Sequence, residues 1–156
     1  MKKIPLTKGM FALVDDEDYE RLSVYKWHVN TISTTIYASR YFFGNKKLFL
    51  QRAILNNYNP NILIDHIDHN GLNNQKSNLR ICSVSQNAMN NRKRKNTTSI
   101  YKGVSWRPHY GTWRCLVQKH KKVLYEKNFH REIDAAIAYD REAQKLFGEF
   151  ACLNFK

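Results

Sequence analysis

No stretch of this sequence stays apolar for anything close to the roughly 20 residues that span a bilayer. The opening Met1-Lys2-Lys3-Ile4-Pro5 lacks the apolar core of a secretory leader. Cysteine is scarce. Cys82, Cys115 and Cys152 lie far apart and no two form a CxxC pair, which excludes a four-cysteine zinc site. An odd, unpatterned set of thiols fits a reducing compartment better than a disulfide framework. The expectation is a cytoplasmic protein, with no membrane partner and no structural zinc. Acidic residues are also few: 13 Asp and Glu stand against 26 Lys and Arg, for a formal charge of +13. Such an excess points to a polyanionic partner, most often nucleic acid. Five of the 13 acids crowd between Asp15 and Glu20, and only Asp65 and Asp68 lie between Gln51 and Ile100.

With 156 residues the chain has room for one compact domain or two to three very small ones. Three blocks stand out, at 1–45, 46–91 and 100–156. In the first, 10–14 is an apolar run that reads as a strand. Asp15 and the acids after it suit the start of a helix reaching about residue 24. Residues 25–29 and 35–41 are rich in aromatic and β-branched side chains and read as strands. In the second block, 49–55 reads as a short helix, and 62–64 as a strand delivering Asp65 and His66 to its end. Asn70-Gly71 marks a turn, and 79–82 reads as the next strand. Ser83 followed by Gln86 has the spacing of a capping box, so a helix should begin near Val84 with Asn87 in its first turns. This order is ββα. The polar run 92–99 reads as a basic linker whose Arg92, Lys93, Arg94 and Lys95 touch phosphates. In the third block 101–106, 112–118 and 123–129 read as strands with a turn at His120-Lys121-Lys122. Residues 131–147 turn helical, and Gly148 stops the helix.

Asp65-His66, Asn78 and Asn87 are the residues with chemistry to offer. Hydrolysis of a phosphodiester produces charge on a poor leaving oxygen, which a hard divalent cation can neutralise. Magnesium takes oxygen ligands and keeps several waters, so one carboxylate (Asp65) and one amide oxygen (Asn87) suffice. A neutral imidazole (His66) can take the proton of the attacking water. Adjacent residues on an extended segment diverge, so Asp65 can hold metal while His66 faces water. Asn78 is expected to orient the imidazole by accepting a hydrogen bond. Asp68 and His69 repeat the pair and read as loop residues.

Asp65-His66, Asn78-Leu79-Arg80 and Ser85-Gln86-Asn87, with the Asn-rich segment 70–74, resemble the HNH endonucleases, in particular phage homing endonucleases. The resemblance covers the second block closely and the first loosely. It implies a ββα-metal module with His66 as general base, Asp65 and Asn87 as ligands of magnesium (manganese as a substitute) and Asn78 orienting His66. It implies double-stranded DNA as partner, contacts from Arg52 and Arg80, and, for a phage-encoded copy, action in the host cytoplasm. Many relatives carry His-Arg where this chain has Gln51-Arg52, so a DNA contact from that histidine has no counterpart here.

Lys102, Arg107, Arg114, Lys119, Lys121 and Lys122 gather around the predicted C-terminal sheet, where arginines suit guanine edges and lysines suit phosphates. Tyr101-Lys102-Gly103-Val104, Arg107-Pro108, Gly111-Thr112-Trp113, Ala135-Ala136, Ala138-Tyr139-Asp140, Gly148 and Leu153-Asn154-Phe155 resemble the APETALA-type ethylene-response-factor domain. That resemblance implies a three-stranded antiparallel sheet packed on one helix. It also implies that Lys102, Arg107, Arg114 and Gln118 face DNA, with Trp113 and Tyr125 as apolar contacts. Ser105 and Lys127 depart from the plant pattern, so the plant sequence preference does not carry over.

Together these readings predict an α+β, monomeric, metal-dependent DNA endonuclease. Two alternatives remain open: a DNA-binding protein without cleavage, and a basic RNA-binding protein.

Overall fold

The computed structural model describes every residue except Phe43, Arg94 and Lys156. The chain is mixed in secondary structure, with small antiparallel sheets and few helices, compatible with an α+β class. Among the described residues no helix is long and apolar enough to cross a membrane. The chain divides into two compact units, Met1–Ser83 and Val84–Lys156.

The first unit contains β1 (Lys2–Pro5), β2 (Phe11–Val14), α1 (Asp16–Ser23), β3 (His28–Ile32), β4 (Thr35–Phe42), β5 (Lys46–Phe49), α2 (Leu50–Ile54), β6 (Leu63–His66) and β7 (Leu79–Cys82). β1 pairs with β2, β3-β4-β5 form a sheet, and β6 pairs with β7, all antiparallel. One core joins Ile4, Val14, Leu22, Trp27, Ala38, Leu48, Leu50, Ile54 and Leu79. That core crosses the boundary expected at residue 45, because residues of the first block and of β7 bury their apolar sides against each other. Trp27 is almost wholly buried and donates its indole N–H to Leu22 O at 2.9 Å, which ties off the end of α1. Burying a side chain of this size contributes on the order of 4 kcal/mol.

Three local expectations shift. The strand expected at 25–29 begins at His28, with Trp27 making only an isolated bridge to Leu6. β1 and β5 were not expected, since both begin with paired lysines; each buries one side chain, Ile4 or Leu48, and leaves its lysines in water. Asp15 sits at the N-cap of α1 without capping it by its side chain. Its carboxylate instead accepts from Lys76 N at 2.7 Å and Gln75 Nε2 at 3.2 Å.

The second unit contains α3 (Val84–Asn90), β8 (Val104–Arg107), β9 (Thr112–Lys119), β10 (Lys122–Phe129) and α4 (Glu132–Phe147). The antiparallel order is β10-β9-β8. α4 lays Ala135, Ala136, Tyr139 and Ala143 on Val104, Cys115 and Val117. Small alanines let the helix axis approach the sheet closely. Gly103 sits at φ +73° directly under the Tyr139 ring, where a Cβ would overlap the ring. The strand expected from 101 starts at Val104, since Tyr101 to Gly103 make the turn that brings the chain under that ring. The end of the expected linker is tied down. Ser99 is buried and donates its hydroxyl to Glu132 Oε1 at 2.6 Å, and Trp106 N donates to Thr98 Oγ1 at 2.9 Å.

Candidate active site and nucleic-acid interface

β6 carries Asp65 and His66 to its end, and the register sets them opposite Arg80 and Leu79 of β7. Both are buried, at 7% and 5% exposure. Asp65 Oδ2 accepts from Arg80 Nε at 3.0 Å and Nη2 at 2.8 Å. Arg80, expected at DNA, is thus 9% exposed in its side chain and braces the carboxylate. Arg52 also turns inward. Its guanidinium donates to the carbonyls of Asn57, Asn59 and Ile62 at 3.3, 2.8 and 2.8 Å, and so fixes the loop that leads into β6.

The amide facing the His66 ring is Asn74, with Oδ1 3.4 Å from Nε2. Asn74 is fully buried and its Nδ2 donates to Gly71 O at 3.3 Å. An amide whose nitrogen is engaged that way presents its oxygen to the ring, and an amide oxygen only accepts. A ring that donates Nε2–H to that oxygen keeps Nδ1 as its basic nitrogen. Tyr37 of β4 packs on the imidazole, ring centroids 5.8 Å apart. Gly71 gives this ring its room, because a Cβ there would fall 2.6 Å from Tyr37 Cδ1. Burial pushes the His66 pKa below its ordinary 6.5, against the opposing pull of Asn74, Asp68 and Asp65.

Asn78 does not reach the ring as expected; its side chain closes the loop between β6 and β7. Its Oδ1 accepts from Asp68 N at 3.0 Å, and its Nδ2 donates to Asp68 Oδ1 at 2.9 Å and Asn73 O at 2.8 Å. Asp68 Oδ1 also accepts from Asn70 N at 2.8 Å, and its Oδ2 accepts from Asn73 Nδ2 at 2.8 Å. Burial by itself would raise the Asp68 pKa, but these donors outweigh it and hold the carboxyl below the usual value. β2 pins the same loop from outside through Leu13 N to Leu72 O and Asn74 N to Leu13 O, both 2.8 Å. Sequence reasoning missed Asn74, Tyr37 and Asp15, and read Asp68 only as loop. The Asp-x-Asn spacing of 68–70 was the one available signal, since it is the pattern of a side chain closing its own turn.

Asn87 lies half-buried on α3, in the second unit. The donor chemistry proposed for the metal, a carboxylate from Asp65 and an amide oxygen from Asn87, is all oxygen. Among the described residues no group of three or more His, Cys, Asp and Glu forms an all-protein cage. A hard cation that keeps most of its waters fits such a set.

In the second unit the alternation of β9 decides which expected DNA contacts face outward. Cys115 and Val117 point to α4, and so do Trp113 and Tyr125, which pack on that core. The two aromatics expected to touch DNA are therefore on the covered side. Arg107, Arg114 and Gln118 share the other face with Ser105 and Glu126. Arg107 Nη2 meets Glu126 Oε1 at 2.9 Å, and Arg114 Nη1 lies 3.8 Å from the same oxygen. Lys121 and Lys122 are exposed at the hairpin, as are Arg92 and Lys95 in the linker. Arg92, Lys93, Arg114, Gln118 and Lys119 line a cleft of about 660 Å³ within this unit. Lys102, also expected at DNA, turns inward and donates Nζ to Met89 O and Asn91 O at 2.7 and 2.6 Å. Arg94 lies outside the described residues.

A protein described as an uncharacterized HNH endonuclease of Acanthamoeba polyphaga mimivirus is 37% identical to this chain over 150 residues, covering 94% of it and 76% of the viral protein. No family profile matches the chain. No solved structure matches it. None of these comparisons bears on the plant-domain resemblance of residues 100–156.

Proposed function

Since the chain belongs to the HNH endonuclease family, we propose that it is a homing-type endonuclease that hydrolyses phosphodiester bonds of double-stranded DNA with magnesium. The observation that supports this most is the buried His66 at the end of β6, its ring packed by Tyr37 and its Nε2 3.4 Å from Asn74 Oδ1. In this reading Nδ1 of His66 takes a proton from water as the oxygen attacks phosphorus, and the bond to the leaving sugar oxygen breaks. The buried imidazole is neutral at neutral pH, ready to accept that proton. Asp65 and Asn87 would hold the cation in a ββα-metal arrangement, and Arg80 directs the Asp65 carboxylate through its two hydrogen bonds to Oδ2. When bound, the cation neutralises charge developing on the leaving oxygen. Asn78 and Asp68 keep the loop closed over His66 by their mutual bonds.

The second unit supplies target binding in the same proposal. Arg107, Arg114 and Gln118 on the open sheet face reach base edges, and Lys121, Lys122 and the linker cations meet phosphates. Glu126 pairs with both arginines in the free protein, and phosphates or base edges of a duplex would compete with it for them.

The test is nicking of supercoiled plasmid DNA with magnesium, with manganese and with chelator, by the wild type and by Asp65→Ala, His66→Ala and Asn87→Ala. Cation-dependent nicking lost in all three variants is expected. Nicking that persists in chelator, or in His66→Ala, rejects the proposal.

A further inference from the structure

α3 has only 7 residues, with no acid in its first turn and no base in its last. So short a helix is marginal by itself, and its last carbonyls need donors. Lys102 supplies them. Its ammonium donates to Met89 O at 2.7 Å, in the last turn, and to Asn91 O at 2.6 Å, just past the end. A cation there also opposes the negative end of the helix dipole.

Lys102 is itself held rigidly. Its N–H donates to Asn154 Oδ1 at 2.6 Å, and Asn154 Nδ2 donates to Lys102 O at 3.2 Å. Asn154 N donates to both carboxylate oxygens of Asp140, at 2.8 and 2.9 Å, and its Nδ2 to Asp140 Oδ1 at 2.9 Å. Asp140 belongs to α4. A continuous set of hydrogen bonds therefore runs from α4 through the C-terminal residues to Lys102 and on to the end of α3. Burial pushes the Lys102 pKa down, the mark of an amine withdrawn from water.

We infer that Lys102 is a positioning residue for the metal centre: it fixes the C-terminal end of α3 and, through it, the Asn87 amide three residues before that end. This rests on the reading of Asn87 as a metal ligand. The sheet-and-helix body then does more than hold DNA, because it frames one of the two ligands. Lys102, placed at DNA by the plant-domain resemblance, serves the helix instead.

The experiment uses the full chain with Lys102→Met, which keeps the stem and removes the donors, and Lys102→Arg, which restores a cation. Hydrogen exchange of the amides of 84–91 is read without metal or DNA. The magnesium needed for half-maximal nicking and the duplex Kd in chelator are measured beside it. In Lys102→Met, exchange should quicken by about tenfold or more. The magnesium requirement should rise by about tenfold, more than the plateau rate falls. The duplex Kd should stay within about twofold and Lys102→Arg should recover much of the loss, because an intramolecular clamp contributes no phosphate contact. Unchanged exchange in Lys102→Met, or a weaker duplex Kd with an unchanged magnesium requirement, overturns the inference. Unchanged nicking by Asn87→Ala would remove Asn87 as a ligand, and with it the link to metal, whereas the exchange result judges the clamp separately.

Discussion

Asp68 and Asn78 hold each other by two hydrogen bonds, Asp68 N to Asn78 Oδ1 at 3.0 Å and Asn78 Nδ2 to Asp68 Oδ1 at 2.9 Å. The pair closes the loop between β6 and β7, which β2 also pins from outside, and the groups that meet the His66 ring from that side lie in this loop. Asn74, which meets the ring, lies inside the loop, and so does Gly71, which makes room for Tyr37. Different asparagines thus serve the loop and the ring: Asn78 closes the loop and Asn74 meets the imidazole.

Asp68→Ala removes the acceptor for Asn70 N, Asn73 Nδ2 and Asn78 Nδ2 together. We expect a stability loss of about 2 kcal/mol from the unmet donors, and nicking reduced by roughly tenfold or more as the ring loses its setting. Urea melts and a plasmid assay read the two effects. Wild-type stability in Asp68→Ala would show that the loop closes without this hub.

His66→Ala should lower nicking by roughly a hundredfold or more while duplex affinity stays near the wild-type value. Asn74→Ala should fall between the two, since the imidazole remains but its tautomer is no longer fixed. An Asn74→Ala enzyme as slow as His66→Ala would mean that Asn74 serves the fold rather than the ring.

The pH dependence follows from burial. The folded His66 pKa lies below 6.5, the ordinary value that the unfolded chain retains. As pH falls through 6.5 the unfolded state takes a proton before the folded one does, so the stability contribution present above 6.5 is lost below it. With His66 in its proposed role as base, the same lowered pKa puts the acid midpoint of the rate profile below 6.5. A pH–rate profile and urea melts between pH 5 and 8 check both, and an acid midpoint above 6.5 contradicts the burial argument.

Arg80→Met should destabilise the first unit by about 3 kcal/mol, because it leaves the Asp65 carboxylate buried without its cation. Adding Asp65→Leu should recover most of that loss without recovering nicking. A double variant no more stable than Arg80→Met would show that the cost lies in packing rather than in charge.

The β9–β10 hairpin turns at His120 and Lys121, whose φ values are +50° and +64°. A two-residue turn of this kind prefers Asn-Gly, because other side chains crowd the left-handed backbone. Replacing the pair by Asn-Gly should stabilise the second unit by about 1 kcal/mol and raise its Tm by several degrees. A lower Tm would mean that the His120 or Lys121 side chain makes a stabilising contact that outweighs the backbone.

Local chemistry by itself determined a good deal. The apolar run before Asp65-His66 makes the strand that presents them, Ser83 stands just before a helix that starts at Val84, and Gly148 ends α4, because these signals act between neighbours in the chain. The basic character follows from composition. Only the tertiary structure decided where side chains point and which of them are already engaged. Alternation told that β9 has two faces, but both carry large residues, and it is the alanine face of α4 that covers Trp113 and leaves Arg114 outside. Three residues that read as nucleic-acid contacts, Arg52, Arg80 and Lys102, donate instead to a loop, a carboxylate and a helix end. Asp15 bonds to Lys76 across 61 positions of sequence. Such long-range partners leave no periodic trace, because a cation satisfied by carbonyls or by a buried acid has the same local sequence as one awaiting a phosphate.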